Sequence, residues 1–397
     1  MKYCRYTILL IITILSCTTQ KKEVVSTFDK NKANEALQFA TMQYEEMMKV
    51  VPDSLLPRTT HKDGKLGLVN ATDWTSGFYS GLLWYLYEFN QKDTFKKEAI
   101  NYTNLLENQQ YNASTHDLGF MLYCSYGNGF RITKDSTYQN ILVSGAKTLS
   151  SRFNNTIGCI KSWDWNPKWH FPVIVDNMMN LEYLFWASKV TRDSIFYKQA
   201  ISHADVTLKN HFREDNSSVH MIDYDTITGK VIEKITVQGF SNESAWSRGQ
   251  AWGLYGYTVM FRETKDQKYL AQAKRIASFI FKHPNMPVDL IPYWDFNASD
   301  IPNVPRDVSA ATIIASALIE LSQLVKHEAG KYYLSKAEII LENLASLKYT
   351  AKLGENNNFV LKHSTGYLPK NKEIDVPLIY ADYYYIEALT RYTKLKP

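Results

Sequence analysis

Ser244-Ala245-Trp246-Ser247-Arg248-Gly249-Gln250-Ala251-Trp252-Gly253-Leu254-Tyr255-Gly256-Tyr257 is the stretch on which the fold turns. As a helix from about Ser244, it places Arg248, Trp252 and Tyr255 at i, i+4 and i+7 on one face. Gly249, Gly253 and Gly256 share the adjacent stripe. Each mid-helix Gly costs roughly 1 kcal/mol relative to Ala, so the stripe implies close approach of another helix or of a ligand. Aromatic, Gly-containing helix starts recur near Trp74, Gly119, Asp176, Ser309 and Tyr383. They are separated by roughly 45 to 75 residues, the length of two helices with their loops. Six such pairs close into an all-α (α/α)6 barrel, with aromatic, Gly-rich inner helices and more charged outer ones.

Apolar residues at helical spacing extend this pattern over 33–51, 74–90, 97–108, 177–190, 247–264, 268–282, 309–327, 332–347 and 381–394. Loops rich in Asn, Asp, Pro and Gly separate them, as at 163–172 and 293–305. β signals are confined to 219–224 and 231–236 around a turn at 225–229, which predicts one small hairpin. No short period supports a tetratricopeptide-type array.

The charge balance is 45 basic against 40 acidic residues, net +5, with no long basic run, so nucleic acid is not an expected partner. Aromatics make up 14%, and many stand beside Gly, Asp, Asn or Arg. Most such rings pack between helices, but a ring beside polar groups also suits a sugar. Lys2 and Arg5 precede an apolar stretch at 6–15, then Ile14-Leu15-Ser16-Cys17 and a polar segment. This resembles a bacterial lipobox and predicts a signal peptide over 1–16, lipid on Cys17 and a tether over 17–29. One catalytic domain then spans 30–397. A lipoprotein of Gram-negative type, periplasmic or anchored to the outer membrane, is expected, touching the membrane only through its lipid. Cys124 and Cys159 make no disulfide framework and are expected as buried free thiols. No metal-ligand spacing and no phosphate loop is present, so neither metal nor cofactor is expected. Oligomeric state is not legible.

Two aspartates stand where the charge is costly. Asp117 lies in His116-Asp117-Leu118-Gly119-Phe120, and Asp176 in Val173-Ile174-Val175-Asp176-Asn177-Met178-Met179-Asn180. An ionised carboxylate in apolar surroundings costs several kcal/mol unless paired or protonated, so the pair suggests acid/base work in a cleft. Arg248 beside Trp252 suits an anionic ligand, its carboxylate on the guanidinium and its ring on the indole. An Arg paired with an acid of this chain is the alternative. Trp74, following Asp73 at a helix start, is a sugar platform or a hydrophobic staple. Trp163, opening its loop, is a further candidate sugar contact.

Taken together, these segments resemble glycoside hydrolase family 88, the unsaturated glucuronyl hydrolases, over nearly the whole chain after the leader. The resemblance rests on Trp74-Thr75-Ser76-Gly77-Phe78, on both aspartate segments and on His220 eighteen residues before Gln238. It also rests on Trp246-Ser247-Arg248-Gly249-Gln250-Ala251-Trp252 and on Asp375-Val376-Pro377-Leu378-Ile379-Tyr380-Ala381-Asp382. It implies an (α/α)6 barrel that hydrates the C4=C5 enol ether of a 4,5-unsaturated uronic acid left by a polysaccharide lyase. The resulting hemiketal opens and expels the remaining oligosaccharide. Asp176 matches the general acid/base and Asp117 the second carboxylate, while Trp74, His220, Gln238, Arg248 and Trp252 match residues around the unsaturated ring. Val237 departs from members with His before the Gln-Gly. No Ser-rich, Lys-containing C-terminal segment of streptococcal type is present; Lys370 and Lys372 follow His363-Ser364-Thr365-Gly366-Tyr367 instead. The aglycone stays open between glycosaminoglycan and ulvan fragments. An unsaturated rhamnogalacturonyl hydrolase, an ordinary inverting glycosidase and a non-catalytic sugar-binding lipoprotein are the alternative readings.

Overall fold

Outer and inner helices alternate along residues 26–396, which the computed structural model describes. Outer α1 (Lys30–Met48) precedes inner α2 (Ser76–Asn90). Outer α3 (Asp93–Asn104) precedes an inner segment that is π-helical over Gly119–Gly127 and continues as α4 (Asn128–Thr133). The remaining pairs are α5 (Ser136–Ser150) with α6 (Leu181–Thr191), α7 (Ser194–Asn210) with α8 (Ser247–Thr264), α9 (Gln267–Lys282) with α10 (Val308–Leu324), and α11 (His327–Leu344) with α12 (Ile379–Thr393). The inner helices pack side by side and α12 returns against α2, closing the barrel.

Helices α5 and α7, absent from the periodicity reading, are each announced by a local device. Thr133-Lys134-Asp135, Thr191-Arg192-Asp193 and Thr264-Lys265-Asp266 all join an inner helix to the next outer one. The middle residue is left-handed (φ about 60°) and ends the inner helix. The Asp accepts from a backbone N–H two residues on and caps the outer helix. The Thr hydroxyl accepts the Asp N–H. These tight turns occupy one end of the barrel, so the long loops, and the site they build, lie at the other end, where the inner helices begin.

The single expected hairpin is one of four small sheets. β1 (Leu56–Thr60) pairs with β2 (Leu66–Val69), and β3 (Phe153–Asn154) with β4 (Cys159–Ile160). β5 (Pro172–Ile174), β6 (Met221–Tyr224) and β7 (Val231–Ile235) form a three-stranded antiparallel sheet that contains the expected hairpin. β8 (Ser364–Tyr367) pairs with β9 (Lys372–Val376). β3, β4 and β5, at two or three residues, are too short to carry a period-2 signal.

The glycine stripe of α8 serves protein packing. A Cβ on Gly256 would stand 2.5 Å from the Met178 Cβ, and one on Gly249 2.9 Å from the Trp246 ring. The folded unit reaches back to Ser26, whose hydroxyl donates to Glu342, and Phe28 is buried. Cys124 and Cys159 are buried and free. Cys17 and the leader lie outside the described residues. Among the described residues no helix is long and apolar enough to cross a membrane.

Candidate active site

A cavity of about 680 Å³ opens at the end of the barrel where the inner helices start. Its lining includes Trp74, Asp117, Trp163, Asp176, Gln238 and Arg248, with Arg58, Phe120, Trp165 and Tyr380. Apart from Arg58, which lies in β1, each comes from a loop or first turn at that end. Trp74 precedes α2, Asp117 precedes the π-helical segment, and Asp176 sits in a 3₁₀ turn (Val175–Asn180) leading into α6. Arg248 lies in the first turn of α8 and Tyr380 in that of α12.

Asp176 is the displaced titrant. Burial pushes its pKa up to about 7; Arg248, its own backbone N–H and the Trp252 side chain pull down, and Asp117 pushes up. Its Oδ2 makes no hydrogen bond within the protein. Opposite it, 3.8 Å away, is His220 Nε2, likewise without a partner. His220 Nδ1 accepts the backbone N–H groups of Val237 (2.9 Å) and Gln238 (3.2 Å). An acceptor Nδ1 forces the proton onto Nε2. Burial, helped by Arg248, pushes the His220 pKa down to about 3, so the ring is neutral. A carboxyl oxygen and a neutral imidazole N–H, neither with a partner in the protein, therefore face each other, Asp176 lining the cavity and His220 set behind it.

Asp117 is held differently. Its Oδ2 accepts the Thr115 hydroxyl at 2.7 Å, and Oδ1 lies 3.3 Å from His116 Nε2, in poor alignment for a hydrogen bond. Behind both aspartates runs an amide clamp absent from the sequence reading. Asn180 Oδ1 accepts the Gly119 N–H at 2.8 Å. Its Nδ2 donates to Asn177 Oδ1 at 2.7 Å and stands 3.4 Å from His116 Nδ1. Asn177 Nδ2 in turn donates to the Ile160 carbonyl. One asparagine thus ties the Asp117 segment to the Asp176 segment, and a Cβ on Gly119 would meet it at 2.5 Å. The signal was the two amides four and one residues after Asp176, inside an otherwise apolar run. Replacing Asn180 by Ala orphans a buried N–H, at a cost of about 1–3 kcal/mol. It should also lower kcat about 10- to 100-fold, the scale seen when a metal ligand loses its orienting partner; steady-state kinetics on a lyase-made disaccharide checks this.

Arg248 and Trp252 need correction against their expected parts. Arg248 is 2% exposed, and its first commitment is to Asp307 (2.7 Å), Thr365 O (2.6 Å) and Gly366 O (2.6 Å). The paired-acid alternative therefore holds, with Asp307, the N-cap of α10, as the acid. The guanidinium still borders the cavity, between the Trp246 and Tyr380 rings. Trp252 is 1% exposed and does not line the cavity; it packs behind Phe120 and Tyr384. It offers no face for stacking, because the inner helices close over it. Its bearing on the site is through Asp176, whose pKa its side chain pulls down.

Trp74 does line the cavity, held by Phe78, Phe120 and Tyr380. Asp73 shapes its turn by accepting the Thr75 N–H and the Arg58 guanidinium. Gln238 borders the same space through the loop fixed by His220.

The family model of Glycosyl Hydrolase Family 88 matches residues 46–278. The chain is 48% identical over 340 residues to the unsaturated glucuronyl hydrolase of Formosa agariphila, covering 85% of this chain and 83% of that protein. Its structure resembles that of an unsaturated glucuronyl hydrolase specific for heparin, with a TM-score of 0.89 and 50% identity over 91% of this chain and 97% of that one. A mutant of the unsaturated glucuronyl hydrolase of Streptococcus agalactiae, complexed with dGlcA-GalNAc6S, aligns at a TM-score of 0.80 and 27% identity over 94% of this chain and 93% of that one. With this fold, this pair of aspartates and these likenesses, the chain belongs to glycosyl hydrolase family 88.

Proposed function

We infer that the chain is an unsaturated glucuronyl hydrolase acting on lyase-made glycosaminoglycan oligosaccharides. The observation that carries the reaction is Asp176, a cavity-lining carboxyl that burial keeps half-protonated near neutral pH and that has one oxygen without a partner in the protein. Protonating the C4 carbon of an enol ether needs an acid, and an ordinary aspartate is ionised at neutral pH. Asp176 gives its proton to C4, and positive charge develops at C5 and the ring oxygen. Water adds at C5 and returns a proton to the Asp176 carboxylate. The hemiketal so formed opens, C1 becomes an aldehyde, and the aglycone leaves with the bridging oxygen. The His220 N–H orients the water or a ring hydroxyl, and Asp117, with one oxygen fixed by Thr115, holds ring hydroxyls with the other.

The substrate's carboxylate sits at the end of the barrel where several helix N-termini converge, a setting that favours an anion. Glycosaminoglycan origin rests on the heparin specificity of the 50%-identical neighbour and on the dGlcA-GalNAc6S bound by the more distant one. A panel of lyase digests of heparin, chondroitin, hyaluronan and ulvan tests it by loss of the conjugated-uronate absorbance. Fastest bleaching of a glycosaminoglycan digest is the expected result; bleaching of ulvan products alone would move the aglycone assignment. We further propose the lipid anchor at Cys17, which metabolic palmitate labelling of wild type, and its absence in Cys17→Ala, would establish.

A further inference from the structure

An aromatic row leads outward from the acid. Asp176 faces His220 at 3.8 Å, and the His220 ring lies 5.8 Å from Trp163, centre to centre. Trp163 lies 5.6 Å from Trp165, and both line the cavity. Trp165, at the outer end, is 63% exposed. An indole left this open forgoes a large burial gain, roughly in proportion to the apolar area in water. The exposure is not the looseness of a free loop. Asp164 is bonded to Arg152 at 2.6 Å and to Lys161 at 2.8 Å. The far end of the loop is pinned where His170 and Phe171 donate their N–H groups to the buried Asp223. Trp169 stands edge-on to Trp165 at 5.0 Å and 72°, which fixes the ring from the side and leaves surface free. Immobilising an exposed indole at the rim of a sugar cavity is preorganisation, with the ordering cost met at folding rather than at binding.

We propose that Trp165 is an outer aglycone platform, stacking on a sugar beyond the one linked to the unsaturated uronate and giving the enzyme a preference for oligosaccharides longer than a disaccharide. This rests on the uronyl-hydrolase reading, because the row is measured outward from Asp176. Trp165 touches no acid/base group, so its removal should alter binding of long substrates alone.

The test compares a disaccharide and a tetrasaccharide from one heparin-lyase digest, both carrying the unsaturated end. Wild type should turn over the tetrasaccharide with the lower KM. Trp165→Ala should raise KM for the tetrasaccharide about tenfold, the scale of one good aromatic contact, with kcat unchanged and the disaccharide within about twofold. Calorimetric binding of the tetrasaccharide to Asp176→Asn, with and without Trp165→Ala, repeats the comparison without turnover. Equal effects of Trp165→Ala on both substrates, no effect on the tetrasaccharide, or a wild type indifferent to length would overturn the proposal. If Asp176→Asn binds the tetrasaccharide tightly only with Trp165 present, yet wild type bleaches neither sugar, the platform stands and the hydrolase reading falls.

Discussion

Asp176→Asn should lower kcat by at least about 10³, within the span that a general acid contributes, and at the same time stabilise the protein at alkaline pH. The stability half follows from linkage. Burial raises the Asp176 pKa from 3.8 to about 7 in the folded chain. A group raised on folding contributes stability that is present below its unfolded pKa and lost as pH climbs through the folded value. Wild type therefore loses ground between about pH 4 and pH 7, by at most roughly 4 kcal/mol at 1.36 kcal/mol per unit. The amide has no proton to lose and no such penalty. Denaturant midpoints should coincide near pH 4 and separate, with the variant ahead, by pH 8. The same titration should give wild-type kcat/KM a falling alkaline limb near pH 7, since only the protonated acid can start the reaction. A variant that is inactive but shows no pH-dependent gain would mean that Asp176 is ionised in the fold, and the acid would have to be sought elsewhere.

The second large effect concerns Arg248. Arg248→Leu strands Asp307, which is fully buried and otherwise bonded to the Ser309 hydroxyl and backbone N–H. Removing one partner of such a pair costs about 3–5 kcal/mol, and the double variant R248L/D307N should recover part of it. Lysine is no substitute, because one ammonium cannot span Asp307 and the Thr365 and Gly366 carbonyls in the planar geometry of the guanidinium. Those carbonyls belong to β8, so the rim formed by β8 and β9 loosens and KM should rise in Arg248→Lys even where the fold survives. Arg248 also holds the Asp176 pKa down, so the alkaline limb of kcat/KM should move to higher pH in R248L/D307N, which lacks the positive charge. A limb that stays in place would show that the two charges do not communicate.

The sequence made the barrel and the aspartates legible for a shared reason. Inner helices of a toroid are buried all round, so their starts must be apolar, aromatic and Gly-rich, and a carboxylate among such residues stands out. The Arg248 partner was not legible, because Asp307 is fifty-nine residues away and reads locally as an ordinary N-cap. Trp252 was misread for a related cause. Helical spacing places it on the face of Arg248, but spacing cannot say whether that face meets the cavity or the neighbouring inner helices. The asparagine clamp is hidden in the sequence because Asn177 and Asn180 look like the polar positions of a helix start. Helices α5 and α7 lie outside the apolar periodicity, although the repeated Thr-(Lys/Arg)-Asp turn marks the start of each. That device is local, and a search for apolar periodicity passes over it.

The reaction proposed for this chain attacks a double bond and not an anomeric carbon. The most direct measurement uses two disaccharides with the same aglycone, one ending in a 4,5-unsaturated uronate and the other in its saturated counterpart, with release of the aglycone followed for both. Release is expected from the unsaturated sugar alone, in step with loss of its absorbance, and no release from either by Asp176→Asn. Release from the saturated sugar at a comparable rate would contradict it.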